Sequence, residues 1–162
     1  MLHCTTGSGG STGGAMAKRG EGQGPNMGAA VPLRARDGRL VRVRHMRPAD
    51  AALLERLFPR LSSETRYRRF FTPLDHVDEE RLQREARRLA SIDPARETAL
   101  IAVDDEGGRE EAVGVARFSR LAERPDSCEG SIVLRDDFQS VGIGRQLFDL
   151  LVQAALAGGL RH

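Results

Sequence analysis

This sequence predicts an α+β fold, a mixed, mostly antiparallel sheet with flanking helices. Three observations carry that reading. Residues 98–103, 112–118 and 129–135 are apolar, β-prone runs separated by turn-forming residues, as in strands that fold back on one another. Helical patterns between 48 and 93 precede these runs rather than alternating with them. A long amphipathic helix, 142–157, follows the last run after a short loop.

Taken in order, residues 1–30 hold nine of the 18 glycines and few large apolar side chains. Such a segment cannot bury enough surface to offset its ordering entropy, so a disordered Gly/Ser-rich tail is expected there. Order begins near Val31. Residues 31–36 and 39–47 read as a hairpin closed by a two-residue Asp37-Gly38 turn, because Asp-Gly tolerates positive φ. Pro48 then opens a helix with Leu53, Leu54, Leu57 and Phe58 as its apolar stripe. Ser62 or Ser63 caps a second helix running to Phe71, and Asp78 begins a third with Leu82, Ala86 and Leu89 on one face.

The three strands follow. Gly114, inside the middle one, marks a bulge or a close backbone approach. In the final helix Ile143, Leu147, Leu150, Leu151, Ala154 and Ala155 recur at helical spacing and form the buried face, and Gly158-Gly159 ends it.

Composition narrows the class. A hydrophobic fraction of 40% supports one domain with a modest core, and with 4% aromatics and no Trp that core must be aliphatic. The two cysteines do not make a disulfide framework, so a reducing compartment is the default. Without a long apolar run or a secretory signal, the expected location is cytoplasmic, with no membrane partner. The four histidines share no metal-ligand spacing, so no metal is expected. Residues 34–69 carry eleven arginines against four acids, which leaves nucleic acid as a weak alternative partner. Only Tyr67, Phe70 and Phe71 interleave with those arginines, and no RNA-binding signature accompanies them.

The stretch that carries chemistry is Ile132 to Arg145: strand, loop, and a helix start with glycines at 142 and 144. Exposed N–H groups at a helix start carry partial positive charge, and glycines let a polyanion approach the main chain closely. Together they suit a pyrophosphate. The phosphate loop GxxxxGK[ST] is absent, and Gly142-Ile143-Gly144 lacks the third glycine of GxGxxG.

Gln139-Ser140-Val141-Gly142-Ile143-Gly144 resembles the Q/R-x-x-G-x-G/A signature of the GNAT superfamily of acyl-CoA-dependent N-acyltransferases. Arg47-Pro48-Ala49-Asp50 resembles the end of that family's first strand. Leu61 through Phe71 is similar to a helix of its bacterial branch that acetylates protein lysines, a branch that often regulates acyl-CoA synthetases. The resemblance covers about residues 39–162.

It implies acetyl-CoA as co-substrate and an amine acceptor, either a protein lysine or a small amine. It implies that backbone groups of Val133 and Leu134 contact the pantetheine arm and polarise the thioester carbonyl. It also implies that N–H groups of Gln139, Ser140, Val141, Gly142, Ile143, Gly144 and Arg145 hold the pyrophosphate. Glu129, ten residues before Gln139, stands where the branch places its general base. A base is needed because a lysine ammonium, pKa about 10.4, must lose a proton to attack. Ser140-Val141 departs from the small or basic pair usual in this loop, which weakens side-chain help to the phosphates. The resemblance further implies a strand, a helix and two more strands beyond residue 159, so the expected domain, 31–162, is the N-terminal two-thirds of that fold. The alternative reading is therefore a truncated, inactive fragment or interaction module, with self-association through its open sheet edge.

Overall fold

The computed structural model describes residues 2–4, 29–70, 78–122 and 124–157. Its centre is a six-stranded sheet in the order β1-β6-β5-β4-β3-β2, and every pairing among the described residues is antiparallel. The strands are β1 (Leu2–Cys4), β2 (Val31–Arg34), β3 (Leu40–His45), β4 (Glu97–Glu106), β5 (Arg109–Leu121) and β6 (Arg124–Leu134). The helices are α1 (Ala51–Leu57), α2 (Ser63–Phe70), α3 (Glu79–Ala90) and α4 (Ile143–Ala157).

β1 lies within the expected tail and pairs with the outer edge of β6 at residues 128–130; residues 5–28 of that tail lie outside the described residues. So do Phe71, the expected end of the second helix, and Gly158-Gly159, the expected stop of the last.

The central strand β4 is buried on both faces, as its unbroken apolar run requires. Leu100 and Ala102 point to a core completed by Ile143, Leu147, Leu151 and Ala155 of α4. Ala99, Ile101 and Val103 point the other way, to a core with Leu53, Leu54 and Leu57 of α1 and Ala86 and Ala90 of α3. α4 therefore covers one face, and α1 with α3 the other. The expected α4 stripe is observed, with Leu150 and Ala154 at its half-buried margin.

The β2–β3 connection differs from the expected Asp-Gly turn. Gly38 has φ +92°, but Asp37 is not in the left-handed region. The Gly38 N–H donates to the Ala35 carbonyl and the Ala35 N–H to the Arg39 carbonyl, so the loop contains three residues, Arg36, Asp37 and Gly38. That is a turn followed by one left-handed glycine, a common three-residue hairpin closure. The Asp37 side chain accepts from the Arg39 N–H and guanidinium instead of adopting positive φ itself.

Gly114 serves both purposes read from the sequence. The β4–β5 register shifts between Ala102 and Val103, which leaves Val113 as the extra residue of a bulge. A Cβ on Gly114 would overlap Leu134 Cδ2 and come within 3.0 Å of the Val133 carbonyl. β6 can reach its position beside β5 only because that carbon is missing.

The Arg-rich block is woven into the fold. Arg39, Arg42, Arg44, Arg56 and Arg60 all form ion pairs with carboxylates. The most buried is Arg44, whose fork grips Asp50 at 2.7 and 2.9 Å. No helix among the described residues is long and apolar enough to cross a membrane.

Candidate active site

The site is built where β6 ends and α4 begins. After Leu134 the chain makes a one-turn 3-10 helix, Asp136–Phe138, then the loop 139–142. Ser140 (φ +60°) and Gly142 (φ +87°) are both left-handed, which turns the loop sharply into α4. The first helical hydrogen bond runs from the Gln146 N–H to the Gly142 carbonyl, 3.5 Å. The N–H groups of Ile143, Gly144 and Arg145 precede it and have no acceptor within the helix. Those of Ser140, Val141 and Gly142 have none among the described residues either. The Gln139 N–H is engaged, closing the 3-10 turn on the Asp136 carbonyl at 3.2 Å, and its side chain folds back to donate to the Leu134 carbonyl at 3.0 Å. Six consecutive N–H groups, from Ser140 to Arg145, thus remain at the positive end of a 15-residue helix. The Arg145 side chain is 87% exposed and only 4.0 Å from Asp149 at its nearest approach, so it is not folded into the loop.

Gly144 matters for a second reason. A Cβ there would stand 3.1 Å from Leu134 Cδ1. The two methyls of Leu134 therefore lie between two glycines, Gly114 on β5 and Gly144 on α4, and this pins the end of β6 against the helix start.

Several residues that hold the loop were not expected from the sequence. Asp136 accepts the Ser62 N–H at 2.8 Å, the Ser62 hydroxyl at 2.7 Å and the Thr65 hydroxyl at 2.9 Å. Ser62 also caps α2, its Oγ accepting the Thr65 N–H at 3.2 Å. Burial pushes the Asp136 carboxyl up, but the hydrogen bonds from Ser62 and Thr65 outweigh it and hold the group below the ordinary aspartate value. Asp136 thereby ties the loop to the start of α2. On its other flank, Phe138 is fully buried, with the Arg39 guanidinium 3.8 Å and the Arg135 guanidinium 5.0 Å from its ring centre. These residues carried only weak signals: an aromatic after two acids, and a serine 74 positions away.

Glu129 lies on β6, opposite Ser119 of β5 and His3 of β1, and is half-buried. By strand alternation it shares a face with Ser131 and Val133. That face borders a cleft lined by Ser131, Val133, Val115 and Arg117 from the sheet and by Met46, Leu54, Leu57, Phe58, Leu61 and Leu89 opposite. Arg117 is held by Glu97 at 3.2 Å and by the Leu89 carbonyl. β1 pairs with β6 only as far as Gly130, and no strand pairs the outer edge of residues 131–134 among the described residues. The structure thus brings Glu129, Val133, Leu134 and the N–H array onto one strand-loop-helix unit. Cys128 is half-buried and packs against the α4 core.

An acetyltransferase (GNAT) family profile matches residues 59–162, well over half the chain and all of the unit just described. The chain belongs to the GNAT family of acetyltransferases. A Pseudomonas aeruginosa acetyltransferase is 30% identical over 126 residues, which are 78% of this chain. The chain spans 65% of that relative's length. Among solved structures, the GNAT domain of PAT from S. lividans superposes with a TM-score of 0.68 at 25% identity, covering 82% of this chain and 74% of that one. A GNAT acetyltransferase from Streptococcus pneumoniae gives a TM-score of 0.52 at 24% identity, over 74% of this chain and 70% of that one, and supports the fold. The GNAT fold is thus an antiparallel sheet with flanking helices, as the sequence predicts. GNAT acetyltransferases use acetyl-CoA as co-substrate, and N–H groups without acceptors at a helix start suit its pyrophosphate. No cluster of metal-ligating side chains occurs among the described residues.

Proposed function

We propose that the chain is an acetyl-CoA-dependent N-acetyltransferase whose acceptor is a protein lysine. The observation that carries this reading is the array of six N–H groups from Ser140 to Arg145 beside the end of β6. Backbone donors at a helix start offer partial positive charge without a side chain in the way, which is what a pyrophosphate needs. Anchored there, the co-substrate supplies an activated acetyl group as a thioester. Backbone groups of Val133 and Leu134 are the candidates to contact its pantetheine arm and polarise the carbonyl, since the outer edge of β6 carries no strand at these positions among the described residues.

Glu129 is the proposed general base. It takes a proton from the incoming ammonium, directly or through a water, so that the free amine attacks the carbonyl carbon, the C–S bond breaks, and the second proton lost by the nitrogen passes through solvent to the leaving sulfur, which departs as the thiol. Its place on the cleft-facing side of β6 supports that role. Much of the rate then comes from holding amine and thioester together. The cleft favours a lysine as acceptor, because its walls are mostly aliphatic and match the four-methylene stem of that side chain. A small amine is the second choice.

The test is thiol release from acetyl-CoA in the presence of a lysine-containing peptide, with the peptide's mass followed in parallel. A gain of one acetyl group per thiol released is expected. CoA binding without acetylation of any lysine peptide would remove the proposed acceptor.

A further inference from the structure

The N–H array can grip a pyrophosphate only if the loop that carries it is held in one conformation. Two of its residues are left-handed, and one of them, Ser140, is not a glycine, so the loop does not hold this shape by local preference. The restraint comes from outside. Phe138 is fully buried, and two guanidinium groups lie against its ring. The same two arginines grip the preceding residue. Arg135 forks onto the Asp137 carboxylate at 2.6 and 2.8 Å, while Arg39 donates to the Asp137 carbonyl and, at 3.4 Å, to its carboxylate. Outer partners orient each of them. Arg39 bonds Asp37 at 2.9 Å, and Arg135 bonds Glu106 at 2.6 Å; Glu106 in turn bonds Arg60 at 3.0 Å. Arg39, Arg60 and Arg135 balance Asp37, Glu106 and Asp137, so the assembly adds no net charge beside the array. Its effect is positional.

From this geometry we infer that Arg39 is a positioning residue for the acyl-CoA pyrophosphate: reaching from the β2–β3 hairpin, it locks the 3-10 turn at Asp137-Phe138 and so fixes the N–H array of 140–145. This rests on the proposed pyrophosphate role of that array. Arg39 suits a test better than Arg135 because its side chain is 36% exposed against 6%, so its removal leaves the core intact. The hairpin is also fastened to the loop next to it, through the Arg36 N–H to the Val141 carbonyl at 2.9 Å and Gln146 Nε2 to the Arg34 carbonyl at 3.0 Å. Loss of Arg39 should therefore loosen the turn without detaching the hairpin.

The experiment compares the unmodified chain with Arg39→Met in steady-state kinetics, using acetyl-CoA and, separately, S-acetylpantetheine, which lacks the pyrophosphate. CoA binding is measured by calorimetry for both proteins. With Arg39→Met, KM for acetyl-CoA and Kd for CoA should rise about tenfold. kcat should stay within about twofold, and kcat/KM with S-acetylpantetheine should not change. Arg39→Lys keeps the charge but not the planar fork, and should behave like Arg39→Met; it also serves if Arg39→Met fails to fold. Equal losses with both acyl donors, or unchanged CoA affinity, would overturn the assignment. Absence of CoA binding by the unmodified chain would instead remove the proposed function on which it rests.

Discussion

Replacing Gly114 with alanine tests whether the end of β6 is pinned as described. The added Cβ would overlap Leu134 Cδ2 and sit 3.0 Å from the Val133 carbonyl oxygen. Leu134 Cδ2 must rotate away from the new methyl, and the Val133 oxygen, being backbone, cannot swing aside. Overpacking of this kind costs roughly 1–3 kcal/mol, partly offset by about 0.5 kcal/mol from the less flexible unfolded chain. A net loss of about 1.5 kcal/mol is expected, or about 6 °C in Tm for a domain of this size. Leu134→Ala alone should cost about 2 kcal/mol, since it empties a half-buried site. The double variant should cost less than the sum by about 1 kcal/mol, because the alanine methyl then occupies space that Leu134 has vacated. Urea unfolding of the four proteins measures the cycle. Strict additivity, or a Gly114→Ala protein as stable as the parent, would refute the close approach.

Other perturbations follow from the same contacts. Asp50→Ala strips the Arg44 guanidinium of its fork, leaving it Glu110 at 2.7 Å, and the Arg47 N–H of its 2.7 Å acceptor; a loss of about 2 kcal/mol in urea denaturation is expected, because a largely buried charge loses its bidentate partner and a backbone donor its acceptor. Asp136 titrates below its ordinary value of 3.8 in the folded chain. Its stabilising contribution is therefore present above that value and lost as pH falls through the lower folded one, so Asp136→Asn should flatten the acid side of the stability profile below about pH 4. Glu129→Gln should lower kcat/KM by about a hundredfold or more, while leaving CoA affinity unchanged by calorimetry.

Much of the fold could be read from local pattern. Ile143, Leu147, Leu151 and Ala155 announce α4 by spacing alone, and Asp78 announces the start of α3, where its carboxylate caps the Glu80 and Arg81 N–H groups. Gly114 stood out because a glycine inside a strand needs a neighbour that excludes a side chain. The start of β6 was less legible: Pro125, Asp126 and Ser127 resemble a turn, and the register with β5 shifts there, between Arg120 and Leu121. The Asp-Gly dipeptide alone does not distinguish a two-residue turn from a three-residue loop, which it closes with only Gly38 left-handed. At the site, the glycines and the helix start were visible, whereas the groups that hold them in place were not. Asp136 meets Ser62 and Thr65 across more than 70 residues, and Arg39 meets Asp137 across 98. No periodicity records such contacts; they exist only once the sheet has brought the hairpin, α2 and the loop together.

The central claim is that the N–H groups of Ser140 to Arg145 form the pyrophosphate site. An amide NMR titration of the chain with CoA tests it most directly. The largest and saturable shifts are expected at 140–145, and pantetheine, which lacks the pyrophosphate, should leave these resonances in place. CoA-induced shifts centred elsewhere, or identical shifts with pantetheine, would contradict it.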